Sequence, residues 1–210
     1  NLRQVESRPA VIVTDADLER RGRAEEVRRR LPRTAVHVFS DIEPEPTEAQ
    51  IRSGVDTLRR MRPDLLVAVG GGSVLDAAKA MRLFFASPEL SVAALALPFL
   101  DARKQVARYP RLAHTLRLVA VPTTSGTGSE VSPAAVVTVG KRKVTLVDYS
   151  LVPDMAIVDP LLTLSLPPTV TADTGIDALT HAVEAAVSIF ASPYTDAFCV
   201  QATRLIFEGL

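Results

Sequence analysis

An apolar run, Leu65-Leu66-Val67-Ala68-Val69, passes directly into Gly70-Gly71-Gly72-Ser73 and then into a helical pattern from Val74 to Ala86. A strand that becomes a helix through glycines sets the N–H groups and positive dipole end of that helix at the carboxyl end of a strand, with no Cβ to hold an anion away. The ligand that suits such a place is a phosphate or pyrophosphate. The loop matches neither G-x-G-x-x-G nor the Gly-Lys-Ser/Thr ending of a Walker A loop. A plain strand-to-helix turn uses glycine for the same conformational reasons, so spacing alone leaves both readings open.

The segments around this loop repeat the same alternation. Val11-Ile12-Val13-Thr14 reads as a short buried strand, followed by Asp15, a helix to about Leu31 and a strand over Ala35 to Phe39. A proline-rich loop, Asp41 to Thr47, leads into a helix through about Met61 and on to the Leu65 strand. Two βαβ units in succession predict an α/β fold, a mostly parallel sheet with helices on both faces and ligands at the carboxyl ends of the strands. Asp15 and the Gly70 to Ser73 loop both fall at such ends.

Further along, Leu118 to Val121 is another apolar strand, ending in Pro122 and followed by Thr123-Thr124-Ser125-Gly126-Thr127-Gly128-Ser129-Glu130. A loop of small and hydroxylated residues can lie close to a ligand and offer it hydroxyl and N–H groups, although an ordinary polar connector has the same composition. Asp101 to Pro110 reads as a short basic helix. Strands over Ala134 to Val139 and Val144 to Val147 flank Gly140-Lys141-Arg142-Lys143 as a hairpin tip, and Met155 to Val158 is the last strand. From Thr163 the pattern is helical, with helices over Thr169 to Val187 and Pro193 to Glu208, so a domain boundary is placed there: residues 1–163, then 164–210.

Composition excludes several classes. The 210 residues carry 24 basic and 24 acidic side chains, which leaves no global field for nucleic acid or an anionic membrane. The basic run from Arg20 to Arg30 is interleaved with Glu25 and Glu26 and reads as a solvated helix face. A lone cysteine, Cys199, cannot make an intrachain disulfide and suits a reducing compartment. No stretch is apolar enough to span a bilayer and the first residues do not read as a signal peptide, so a cytoplasmic location is expected.

Asp177 and His181 lie four apart in the predicted helix, so a carboxylate and an imidazole emerge on one face. Such a pair can contribute to a divalent metal site, which generally wants at least three protein ligands. An Asp–His hydrogen bond without metal is the simpler reading of the spacing. His37 and His114 read as structural.

Three ordered motifs together carry a resemblance: Gly70-Gly71-Gly72-Ser73-Val74-Leu75-Asp76-Ala77-Ala78-Lys79, Pro122-Thr123-Thr124-Ser125-Gly126-Thr127-Gly128-Ser129-Glu130, and Gly175-Ile176-Asp177-Ala178-Leu179-Thr180-His181-Ala182. They resemble the iron-containing, group III alcohol dehydrogenases. Phe99 to Lys104 and Ser188 to Ser192 look most like the alcohol dehydrogenase half of bifunctional aldehyde/alcohol dehydrogenases. The resemblance implies a Rossmann-like dinucleotide-binding domain followed by the start of an all-helical metal-binding domain. It also implies reversible hydride transfer between NAD(H) and a small primary alcohol or aldehyde, a homo-oligomeric assembly, and no nucleic-acid or membrane partner.

By the same resemblance, Asp15 would accept hydrogen bonds from the adenosine ribose and favour NAD over NADP. Gly71, Gly72 and Ser73 would hold the pyrophosphate, and Asp76 would fix the loop and the nicotinamide side. Thr123, Thr124 and Thr127 would line the nucleotide path, Lys143 would reach the nicotinamide ribose, and Asp177 and His181 would bind Fe²⁺ or Zn²⁺. Family members continue for about as long again, so two further histidine ligands and the proton-transfer histidine are expected beyond residue 210. The hairpin near Gly140 is several residues shorter than in relatives, and the family's Asn between two prolines is Glu45 here, which weakens a nucleotide contact. The alternatives are a relative acting on a polyol or hydroxy acid, and a non-catalytic NAD-binding or scaffold fragment.

Overall fold

The computed structural model describes residues 9–31, 35–95, 112 and 116–210, with the side chains of 93 and 94 left aside. The basic helix expected over Asp101 to Pro110, the Phe99 to Lys104 segment and His114 lie outside the described residues. The chain divides into two compact units. The first runs to Pro122 and resumes over Ser129–Val158; the second comprises Thr123–Gly128 and Asp159–Leu210.

The first unit is built on a five-stranded sheet of β1 (Ala10–Val13), β2 (Val36–Phe39), β3 (Leu65–Gly70), β4 (Arg117–Pro122) and β7 (Met155–Ala156), in the order β2-β1-β3-β4-β7. Every pairing in it is parallel, with Ala10 opposite both Val36 and Leu65, and Leu65 opposite Arg117. Val11, Val13, Leu66, Ala68, Leu118 and Ala120 enter the main core, while the alternate residues Ile12, Val67, Val69 and Val119 are equally buried. Both faces of the sheet are therefore covered, which is why these strands read as continuous apolar runs and not as alternating ones. The final strand is two residues long instead of the four expected over Met155 to Val158.

The helix expected from Asp15 to Leu31 is two helices, α1 (Ala16–Arg20) and α2 (Arg23–Arg28). Gly22 between them sits at φ +76°, a left-handed conformation that ends the first helix and starts the second. Their arginines are paired with Asp17, Glu25 and Glu26 one turn away, as a solvated face requires. Helix α3 (Glu48–Met61) opens on a capping box: Thr47 Oγ1 accepts from Gln50 N and Gln50 Oε1 accepts from Thr47 N. It ends at Arg62, a non-glycine residue at φ +47°. Helix α4 (Gly72–Ala86) begins two residues earlier than the periodicity suggests, and a short α5 (Val92–Leu95) follows.

β5 (Ala134–Val139) and β6 (Arg142–Val147) form an antiparallel hairpin with only Gly140 and Lys141 in its turn. Gly140 is at φ +60°, the requirement for a tight two-residue turn with glycine first. Lys143 therefore lies within β6, opposite Thr138, and not at the tip.

In the second unit, α6 (Pro168–Ala186) and α7 (Pro193–Gly209) pack on each other. Each starts with proline, whose missing N–H costs nothing in a first turn, and Ser192 caps α7 by accepting from Thr195 N. No helix among the described residues is long and apolar enough to cross a membrane.

Candidate functional site

The strand order reverses between β1 and β3: the chain leaves β1 toward β2 on one side and leaves β3 toward β4 on the other. In an open parallel sheet this reversal opens a crevice at the carboxyl ends of the two central strands. Thr14, directly after β1, donates from Oγ1 to the Val69 carbonyl at 2.8 Å and holds those two ends together. Asp15 follows Thr14, and Gly71 to Ser73 follow β3, so residues 56 and more positions apart in sequence flank one opening.

Asp15 serves first as the N-cap of α1. Its Oδ1 accepts from the N–H groups of Asp17 and Leu18, both at 2.9 Å. The cap uses that oxygen alone, so Oδ2 is left to accept from a ligand hydroxyl, and the cap fixes the carboxylate's direction. Across the switch point, Gly71 is the N-cap of α4 and supplies no side-chain cap. Its carbonyl accepts from Val74 and Leu75. The N–H groups of Gly72 and Ser73 in the first turn are the donors an anion would use. Gly70 has a separate reason to be glycine: a Cβ there would lie 2.6 Å from the Val74 side chain, so its absence lets α4 close down on β3.

The proline-rich loop reaches the same turn. Glu45 N donates to Ser73 Oγ at 3.4 Å, and Glu45 Oε1 pairs with Lys143 Nζ at 2.7 Å. Glu45 sits at φ +60°, a conformation that asparagine tolerates better than glutamate. That is a backbone reason for the asparagine the family pattern places there. The loop is strapped to the hairpin by Thr138 N donating to the Pro46 carbonyl at 2.8 Å.

Asp76 is engaged within the protein through both oxygens. Oδ1 accepts from Ser129 Oγ at 2.5 Å and Oδ2 from Val136 N at 2.9 Å. Burial holds its carboxyl above the ordinary carboxylate range despite these bonds and the charge of Lys79. Lys79, one turn on, is fully buried and went unrecognised in the sequence as part of the site's framework. Its Nζ donates to Ser129 Oγ at 2.8 Å and to the carbonyls of Ser132 and Ala134 at 3.0 and 2.7 Å. Burial lowers its affinity for a proton, against the pull of Asp76 and Glu130. The signal was present as Asp-x-x-Lys, an acid and a base three apart in a largely apolar helix that also carries Arg82. Together they pin the segment that follows Gly128 to the helix carrying the glycine turn.

In the second unit, the Thr123–Gly128 loop lies against α6. A Cβ on Gly126 would stand 2.2 Å from the Thr174 carbonyl oxygen, so only glycine permits this approach. Thr174 is three residues before Asp177, and Thr123, Thr124 and Thr127 belong to the same loop as Gly126. Thr123 is buried, while Thr124 and Thr127 are half-buried. Asp177 Oδ1 and His181 Nε2 are 3.5 Å apart, and both side chains are exposed. A carboxylate oxygen and an imidazole nitrogen are donors that iron and zinc both accept. No cluster of three or more His, Cys, Asp or Glu groups suited to a metal occurs among the described residues. Among the described residues, Asp177 and His181 stand as a pair.

The structure brings Asp15, Gly71, Gly72, Ser73, Asp76 and Lys143 into the first unit and Thr123, Thr124, Thr127, Asp177 and His181 into the second. Residues 1–160 match the family model of the iron-containing alcohol dehydrogenases, and residues 171–210 match the C-terminal model of the same family. The aldehyde-alcohol dehydrogenase of Streptococcus pneumoniae is 44% identical over 206 residues, which are 95% of this chain and 23% of that protein. The iron-containing alcohol dehydrogenase of Thermococcus thioreducens superposes with a TM-score of 0.89 at 35% identity, over 98% of this chain and 54% of that one. The sulfoacetaldehyde reductase of Bifidobacterium kashiwanohense, solved in complex with NAD⁺, superposes at 0.85 with 31% identity over 99% of this chain and 53% of that one. The chain thus spans about a quarter of the curated relative and about half of the solved structures.

Proposed function

Because the chain belongs to the iron-containing alcohol dehydrogenase family, we propose that it carries the dinucleotide-binding domain, residues 1–163, and the start of the all-helical metal-binding domain, residues 164–210, of a metal-dependent oxidoreductase. The reaction is reversible hydride transfer between NAD(H) and a small primary alcohol or aldehyde. The observation that carries this reading is the pairing of Asp15 with the uncapped first turn of α4 across the switch point.

The residues fit the cofactor by the chemistry of their donors. Gly72 and Ser73 offer N–H groups to a pyrophosphate, and Asp15 offers a carboxylate oxygen to ribose hydroxyls. A carboxylate in that position repels a 2′-phosphate, which favours NAD over NADP. Asp76 and Lys79 hold the frame rigid through Ser129, and Lys143 brings a cation to the loop beside Ser73. Thr123, Thr124 and Thr127, on the loop seated against α6, offer hydroxyl and N–H groups to a nucleotide.

Asp177 and His181 hold Fe²⁺ or Zn²⁺ together with donors from outside the described residues. The metal's contribution when bound is Lewis acidity at the carbonyl oxygen, worth several kcal/mol to a developing alkoxide. The chain's own task in the first unit is to bind and orient the dinucleotide.

The test is anaerobic NADH oxidation by acetaldehyde, with and without added Fe²⁺, alongside an NADH titration followed by nicotinamide fluorescence. Metal-dependent turnover that disappears in Asp177→Ala and His181→Ala, with NADH affinity retained, is the expected result. Binding without turnover under every metal condition would favour a nucleotide-binding module, and an active, metal-replete double variant would remove the ligand assignment.

A further inference from the structure

The ion pair between Glu45 and Lys143 is tethered, through the Glu45 backbone, to the first turn of α4, whose N–H groups an anion would use. Glu45 is tied to the first turn of α4 through its N–H on Ser73 Oγ, and its carboxylate takes Lys143 at 2.7 Å. The backbone is arranged around this contact: Glu45 accepts the left-handed conformation at φ +60°, Pro46 accepts from Thr138, and Lys143 is the residue paired with Thr138 across the hairpin. Loop and hairpin are thus joined by an ion pair whose acidic residue is tethered, through its backbone N–H, to Ser73 in the first turn of α4.

A pyrophosphate on the Gly72 and Ser73 N–H groups changes the balance of that pair. It offers Lys143 a second anionic partner and places the Glu45 carboxylate beside like charge. The geometry points to Glu45 as the residue that tempers this chain's affinity for its dinucleotide, by holding Lys143 in an ion pair that the cofactor must exchange. The inference rests on the reading that Gly71 to Ser73 bind NAD(H). Its magnitude is modest, because both side chains are 60% exposed and pairs of that kind are screened by water and salt.

The test is a double-mutant cycle on NADH binding by nicotinamide fluorescence, with Glu45→Gln, Lys143→Met and the combined variant compared with the unmodified protein. Glu45→Gln is expected to tighten NADH about two- to fivefold at low salt, and that gain is expected to shrink as ionic strength rises. In the Lys143→Met background the same substitution is expected to gain little, since no cation remains to be released. Equal tightening in both backgrounds would mean simple charge repulsion and would overturn the exchange. Weaker binding by Glu45→Gln would mean that the pair organises Lys143 for the ligand, which also overturns it. If none of the four proteins binds NADH, the dinucleotide reading itself fails and takes this inference with it. Unchanged urea midpoints across the four proteins are the control for folding.

Discussion

Thr14 and Val69, 55 residues apart, are joined by a buried hydrogen bond of 2.8 Å from the threonine hydroxyl to the valine carbonyl. The contact ties the residue that follows β1, immediately before Asp15, to the penultimate residue of β3, immediately before Gly70. Replacing Thr14 with the isosteric valine leaves the Val69 carbonyl without that donor in a buried place. The expected cost is about 1–3 kcal/mol, read as a lower urea midpoint with an unchanged slope. A midpoint equal to that of the unmodified protein would show that the bond contributes nothing.

Lys79 is a fully buried cation of the first unit. Lys79→Met strips Asp76 and Ser129 of their cation and leaves the carbonyls of Ser132 and Ala134 without its ammonium. Breaking one side of a buried pair typically costs about 3–5 kcal/mol. The combination with Asp76→Asn should cost less than the sum of the two single changes, because each single change already breaks the shared network. Chemical denaturation of the three variants checks this, and strict additivity would contradict the coupling through Ser129.

The same pair makes stability depend on pH in a defined direction. Burial raises Asp76 above its ordinary value of 3.8. Between that value and the raised one, the folded protein holds a proton that the unfolded chain has released, so stability is fullest below the window and falls as pH rises through it. Burial lowers Lys79 from 10.5, so between its lowered value and 10.5 the unfolded chain holds the extra proton and stability climbs with pH. Asp76→Asn should remove the acid-side slope, and should lower Lys79 further by taking away its partner charge. Urea midpoints of the two proteins should therefore diverge as pH rises above 3.8, with the unmodified protein losing ground.

Gly126→Ala tests the seat of the threonine-rich loop on α6. The added Cβ would meet the Thr174 carbonyl oxygen at 2.2 Å, and backbone cannot turn aside as a side chain can. Loss of about 1–3 kcal/mol is expected from such overpacking, followed by thermal unfolding. Amide exchange should quicken locally over residues 123–128, and a variant with native midpoint and exchange would show that the loop is seated otherwise.

Arg62→Gly should stabilise. Arg62 closes α3 at φ +47°, with its N–H donating to Leu58 at 2.8 Å, in a conformation that glycine adopts without a Cβ penalty. Relief of that penalty outweighs glycine's greater entropy loss by about 0.5–1 kcal/mol. A higher thermal midpoint is the expected reading, and a lower one would place the arginine side chain's own contacts above its backbone cost.

The amino-acid sequence alone determined what rests on neighbours along the chain. The buried runs at Val11, Leu65 and Leu118, the glycine turn after Val69, a hairpin at Gly140 and the four-residue spacing of Asp177 and His181 are all local patterns of period and turn chemistry. They sufficed for a parallel α/β sheet and a helical second unit. Even there, one local competitor went unweighed: Gly22 divides the expected first helix because a left-handed residue stops helical hydrogen bonding. The tertiary structure decided the rest. Only the strand order sets Asp15 beside Gly71, only the packing of α4 on β5 buries Lys79 against Ser129, and only the loop-to-hairpin strap brings Glu45 to Lys143. Each of these joins residues from 50 to 98 positions apart. The reason is that electrostatic pairing and burial depend on distance in space, and no periodicity along the chain encodes which distant residues will share it.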